Sequence, residues 1–155
     1  MSEAVDQIQL NIELKKLRAF FDSLSNIVML EGDPLPNFAA ANDTQSRMLK
    51  LTYEPTSEIS IYKEVGVYQD QQVIDQWLLA NFATFGLADT FYLSLNDFGR
   101  VSWFKVRVQG ATKDWLLALY HQLTGHWLQF APLSLQSVYE FREREHTMAT
   151  FIGQV

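Results

Sequence analysis

Between residues 4 and 24 the apolar positions recur with a helical period. Leu10, Leu14, Leu17, Phe21 and Leu24 follow at four- and three-residue spacings, while Glu13, Lys15, Lys16 and Asp22 fall largely off that line. Ile8 and Ile12 widen the stripe beyond the roughly 100° of arc that packing on a sheet requires, so they are expected to face a partner. Ser25 and Asn26 stop the helix, and Ile27–Glu31 is a short apolar run that reads as a strand. Residues 32–46, with Gly32, Pro34 and Pro36 ahead of a polar stretch, read as a loop.

Two strands are expected next. Leu49, Leu51 and Tyr53 alternate with Lys50, Thr52 and Glu54. After a turn at Pro55-Thr56, Ile59, Ile61, Val65 and Val67 take alternate positions, with Lys63 the exception. Asp70 is placed to cap a second helix, where Ile74, Trp77, Leu78 and Phe82 share a face and which must end by Gly86. Phe91, Leu93 and Leu95 then alternate, Asn96–Gly99 turns the chain, and Arg100–Val108 runs out as the second strand of a hairpin. Thr112 reads as the cap of a third helix carrying Trp115, Leu116, Leu119, Tyr120 and Leu123, with Gly125 as its breaker. The charged run Glu140 to Glu145 reads as a short solvated helix or a tail.

Strands joined by hairpins rather than by crossover helices define an α+β fold. The expectation is an antiparallel sheet of about five strands with three helices, in the order α-β-β-β-α-β-β-α, and a C-terminal tail. The 155 residues suit one domain, read as residues 1–130 with 131–155 as an extension.

Charge narrows the partners. Twelve bases against eighteen acids give a net charge of −6, and residues 1–75 hold 12 acids and 6 bases against 6 and 6 in the remainder. That excess repels phosphate backbones, so nucleic acid is not expected as a partner. An acidic, polar N-terminus and the short apolar stretch Trp115–Tyr120 point away from export and membrane insertion, toward the cytoplasm. The chain has no cysteine, which excludes disulfides and a thiol nucleophile.

No catalytic constellation is visible, so the chain is read as a binding protein rather than an enzyme, with no cofactor. Neither a glycine-rich phosphate loop nor a GxSxG elbow occurs. His121 and His126 are five apart, which is not the i, i+4 pair of a helical metal site. Trp103 shares a strand face with Lys105 and Arg107, a mixture that suits an interface.

The order of elements and several short motifs resemble the class I type III secretion chaperones over about residues 8–130. Leu78-Leu79-Ala80-Asn81-Phe82 looks like the end of that family's second helix. Gly86-Leu87 precedes the hairpin, Gly99-Arg100-Val101 is similar to its turn and outgoing strand, and Trp127 falls where the last helix often carries an aromatic residue. The resemblance implies a non-enzymatic homodimer that holds the N-terminal segment of a secreted effector or regulator in an extended, export-competent state. Ile8, Ile12, Leu14, Leu17, Phe21, Ile59 and Ile61 would then contact the client, and Trp77, Phe91, Leu93 and Trp103 would form the dimer interface. The alternative is a small acidic immunity or inhibitor protein that blocks a basic toxin or nuclease through Glu54, Glu58 and Glu64.

Overall fold

In a computed structural model, residues 3–30, 50–51, 54–95, 103–110, 112–123 and 127–154 are described. Helix α1 (Glu3–Asp22) leads into β1 (Ile27–Met29), followed by β2 (Lys50–Leu51), β3 (Ser57–Ser60), β4 (Tyr62–Glu64) and β5 (Val67–Tyr68). Then come α2 (Gln71–Thr84), β6 (Thr90–Leu95), β7 (Phe104–Val108), α3 (Asp114–Gln122), β8 (Trp127–Ala131), β9 (Ser137–Glu143) and β10 (Thr147–Gln154). The fold is α+β, and every strand pair is antiparallel.

The main sheet has eight strands rather than about five. They run β1-β7-β6-β8-β9-β10, with β2 and β3 set end to end along the far side of β10. Its helix-facing side is a continuous apolar surface of Phe91, Leu93, Leu95, Phe104, Val106, Leu128, Phe130, Phe141 and Met148. Phe82 of α2 sits at the middle of that surface, with ring centroids 5.3 Å from Trp115 and 5.2 Å from Phe130. Leu17 and Phe21 of α1 close one end, Phe21 meeting Phe104 edge-on at 5.3 Å.

Four expectations need correction. Residues 131–154 are not a tail or a separate extension, because β9 lies between β8 and β10 in the middle of the same sheet. Apolar and charged side chains alternate across the two faces of β9: Tyr139 and Phe141 enter the core, while Glu140 and Arg142 pair with each other on the opposite face. The single strand expected over Ile59–Val67 is broken instead. Gly66, at φ +83°, turns the chain back so that β4 and β5 form their own small hairpin. Trp127 begins β8 rather than lying in a last helix, since α3 ends at Gln122 and Leu123 is already extended.

The helix starts also differ from the expected caps. Lys113 rather than Thr112 precedes α3. Asp70 does precede α2, but its side chain makes no capping bond; Lys63 holds it at 2.8 Å while its carbonyl accepts from the N–H groups of Val73 and Ile74. The 32–46 loop, Leu49, Tyr53, the Asn96–Gly99 turn and Gly125 lie outside the described residues.

Candidate protein-binding edge

The route from α1 into β1 leaves an unpaired strand edge among the described residues. After Asp22 the N–H groups of Ser23 and Leu24 bond back to Phe20 and Phe21, at 3.2 and 3.0 Å. Asn26 then adopts φ +66°, a left-handed conformation that its short polar side chain tolerates, and its Nδ2 donates to Thr112 Oγ1 at 3.3 Å. This sharp turn lays β1 against β7 with Ile27, Val28 and Met29 opposite Val108, Arg107 and Val106.

Antiparallel pairing makes successive residues alternate between bonding inward and outward. Leu30 donates to the Lys105 carbonyl at 3.0 Å, and Gln109 donates to the Asn26 carbonyl at 2.9 Å. The even-numbered residues therefore bond to β7, and the N–H and C=O groups of Ile27 and Met29 point away from the sheet. Among the described residues nothing pairs with them.

Beside this row lies a cleft of about 410 Å³ lined by Arg18, Phe21, Asp22, Leu24, Ile27, Val28 and Met29. Its lining mixes the apolar side chains of Phe21, Leu24, Ile27, Val28 and Met29 with Arg18 and Asp22, one charge of each sign. The opposite edge of the sheet is built differently: β2 and β3 are short and separated by Pro55, and the chain then folds away into the β4–β5 hairpin. Interruption and folding-away are how native sheets blunt an edge, and β2 and β3 show both.

The residues expected at a client surface divide into two groups. Ile8 and Ile12 are 59% and 49% exposed, as a surplus apolar stripe requires. Leu17, Phe21 and Ile61 are buried, and Leu14 and Ile59 pack against the core as partly buried neighbours. Phe21 alone of the buried set also lines the cleft.

The proposed dimer residues are corrected more fully. Phe91, Leu93 and Trp103 are buried inside a single chain, so they offer no surface to a second copy. Trp103 packs with Ala131, Val138, Tyr92 and Leu135 on the sheet face away from the helices. Trp77 is half-buried, its Nε1 donating to Ser57 Oγ at 3.0 Å and its ring meeting Phe141 edge-on.

The acids of the alternative reading are partly neutralised within the chain. Arg144 approaches Glu58 at 3.8 Å, while Glu64 is exposed at the β4–β5 hairpin. Among the described residues no group of three or more His, Asp or Glu side chains is placed to hold a metal. His121 pairs with Asp75 at 2.9 Å and so ties α3 to α2; His126 lies outside the described residues. No described helix is long and apolar enough to cross a membrane.

One cluster was not foreseen. On the face away from the helices, Glu140 is 0% exposed and accepts from Trp127 Nε1, from Gln129 Nε2 at 2.9 Å and from Arg142 Nη2 at 2.8 Å. The sequence did contain its signal, a Glu and an Arg two residues apart in a segment flanked by Val138, Tyr139 and Phe141. Elsewhere burial raises the Tyr120 hydroxyl well above its ordinary pKa, assisted by Glu143 and Asp75. No family model, no curated protein and no solved structure matches the chain.

Proposed function

We propose that the chain is a non-enzymatic binding protein that holds an extended segment of a protein partner as an added strand on β1. This is the role that the resemblance to class I type III secretion chaperones implies, with the N-terminal segment of a secreted effector or regulator as the client. One observation carries the reading: the outward N–H and C=O groups of Ile27 and Met29 run beside a cleft of mixed apolar and charged lining. An added strand bonds to such a row whatever its sequence, and alternate side chains of the strand enter the pocket beside it.

The magnitudes define what this edge can do. Four main-chain bonds at about 0.5–1.5 kcal/mol each, plus one apolar side chain in the cleft at about 1.5–3 kcal/mol, sum to roughly 3.5–9 kcal/mol. Association itself costs about 4–15 kcal/mol. The edge alone is therefore a weak binder that sets direction and register. Useful affinity needs further contacts, and the exposed Ile8 and Ile12 on α1 are apolar surface of the right kind.

Met29→Pro tests the reading, because it removes an outward N–H while leaving every bond to β7 in place. Met29→Ala controls for the lost side chain. Partner recovered from the native host by the unaltered chain should be lost with Met29→Pro and retained with Met29→Ala. Equal recovery by all three would show that β1 is not the docking edge. Binding should also weaken only slightly between about 0.05 and 0.5 M salt, since apolar burial and main-chain bonds are poorly screened. A fall of about a hundredfold in association rate would favour the acidic inhibitor instead.

A further inference from the structure

The Glu140 cluster lies at the other side of the sheet from the helices and takes no part in the β1 edge. Its members come from three adjacent strands whose register sets Trp127 opposite Arg142, Gln129 opposite Glu140, and Glu140 opposite Phe151. The Arg142 guanidinium carbon lies 5.0 Å from the centroid of the Trp127 ring and 5.0 Å from that of Phe151. The guanidinium thus lies over the faces of two rings, and an anion that pairs with it approaches in its own plane, where its N–H donors point.

That plane is largely unused. Of five N–H donors, one on Nη2 bonds to Glu140. Nε is buried from solvent with no acceptor among the described residues, so with the side chain as a whole 40% exposed the donors a ligand could meet are those on Nη1 and the second on Nη2. Stability does not account for the arrangement, since a buried ion pair is often no better than apolar side chains of the same volume. What the cluster does secure is orientation: a fully buried carboxylate, itself fixed by Trp127 and Gln129, holds one half-exposed guanidinium in a single pose.

The surrounding charge favours an anion. Lys105, 5.6 Å from the Tyr92 ring centroid, and the exposed Arg107 lie on the same sheet face. Of the acids on that face, Glu140 is committed to Arg142, and Glu58, two strands from it, is approached by Arg144. Among the described residues of this face, Lys105, Arg107, Arg142 and Arg144 thus outnumber the exposed Glu58, on a chain of net charge −6.

We propose that this face recognises an acidic segment of a protein partner, with Arg142 as the anchoring fork for a carboxylate and Glu140 as the residue that positions it. In-plane, two-pronged approach is the geometry in which arginine binds carboxylates, and lysine cannot reproduce it. A phosphate oxygen pair would fit the same fork, but the acidity of the rest of the chain opposes a nucleic-acid backbone.

The test uses the intact chain and hexaglutamate as probe, followed by NMR of the Arg142 Nε–H and Trp127 Nε1–H signals. Hexaglutamate should shift both saturably at about 1–10 mM, the range of a weak single-anchor contact, and hexalysine should not. Arg142→Lys should weaken binding about tenfold, the worth of a lost second prong. Glu140→Gln separates positioning from charge. Removing a negative charge should tighten anion binding if Glu140 acts only through its field, whereas the proposal expects weaker binding. Absence of a saturable shift in the unaltered chain overturns the proposal without recourse to any variant. So does equal response to hexalysine, or binding of oligothymidylate in place of hexaglutamate.

Discussion

Removing Arg142 alone should destabilise the protein far more than removing it together with Glu140. In Arg142→Met the carboxylate of Glu140, which is 0% exposed, keeps Trp127 Nε1 and Gln129 Nε2 as donors but loses the one cation paired with it among the described residues. Stranding a buried charge in this way costs about 3–5 kcal/mol. On a chain of this length that lowers the midpoint of thermal unfolding by roughly 6–20 °C, at about 2–4 °C per kcal/mol. Glu140→Leu alone frees Arg142 to turn toward water, and its main loss is the acceptor of Trp127 and Gln129, both half-buried, at about 1–2 kcal/mol together. The double variant keeps that loss but strands no charge, and methionine fills the space between Trp127 and Phe151 with a side chain that packs well on rings. It should lie within about 2 kcal/mol of the unaltered protein, which puts the coupling energy at about 2 kcal/mol or more. Urea unfolding of the four proteins, followed by tryptophan fluorescence, measures all of these quantities. A cost below about 1 kcal/mol for Arg142→Met, or a double variant equal to the sum of the singles, would refute the account of Glu140 as a buried, charged partner.

Replacing Ile8 and Ile12 together by serine should leave the unfolding midpoint nearly unchanged, because both side chains already stand largely in solvent, and should weaken capture of the partner; a large fall in stability would place them in packing instead. Leu17→Ala, by contrast, empties a fully buried site beneath α1 and should cost about 2–5 kcal/mol in the same urea assay. Burial keeps Tyr120 protonated in the folded chain above its ordinary pKa, so the unfolded chain gives up that proton first. Its contribution to stability is complete below about pH 10 and is lost as the pH rises beyond that value. Thermal unfolding between pH 8 and 11 should fall less steeply in Tyr120→Phe, and identical profiles would sink the assignment.

The parts of the fold legible in the sequence were those with a clean period. α2, α3 and the β6–β7 pair each set apolar residues on one face against polar residues on the other, and the core-facing line Leu10, Leu14, Leu17 and Phe21 of α1 is as regular, so the repeat of 3.6 or 2 survives in the letters. β9 and β10 lack that contrast. In β9 the core face carries Tyr139 and Phe141 while the other face carries Val138 and a buried Glu140, so the alternation disappears into a charged run. In β10, Met148, Ala149, Thr150 and Phe151 are buried in succession, and a strand covered on both faces has no period to read. The surplus on α1 was visible as breadth, but its geometry was not. At about 100° per residue, Ile12 lies roughly 200° around the helix from Leu10, so the apolar positions make two stripes on opposite sides rather than one wide one. The open edge left no mark at all, because an unpaired N–H belongs to the backbone and every residue except proline supplies one.

The pairing of β2 and β3 with β10 joins residues nearly a hundred positions apart, and this sets an order of events during synthesis. The strand at Ser57–Ser60 leaves the ribosome long before Thr147–Thr150 exists, and until then it has no sheet to join. β8 waits likewise for β9, and β9 for β10. Two separate strand edges are thus open in the growing chain and close only when its last strand is complete. A nascent chain stalled or cleaved after β8 would carry both edges uncovered, the arrangement that recruits other unfinished chains. For the same reason the docking of β10 onto β2 and β3 is a long-range step, and a slow one by comparison with the closing of the β6–β7 hairpin.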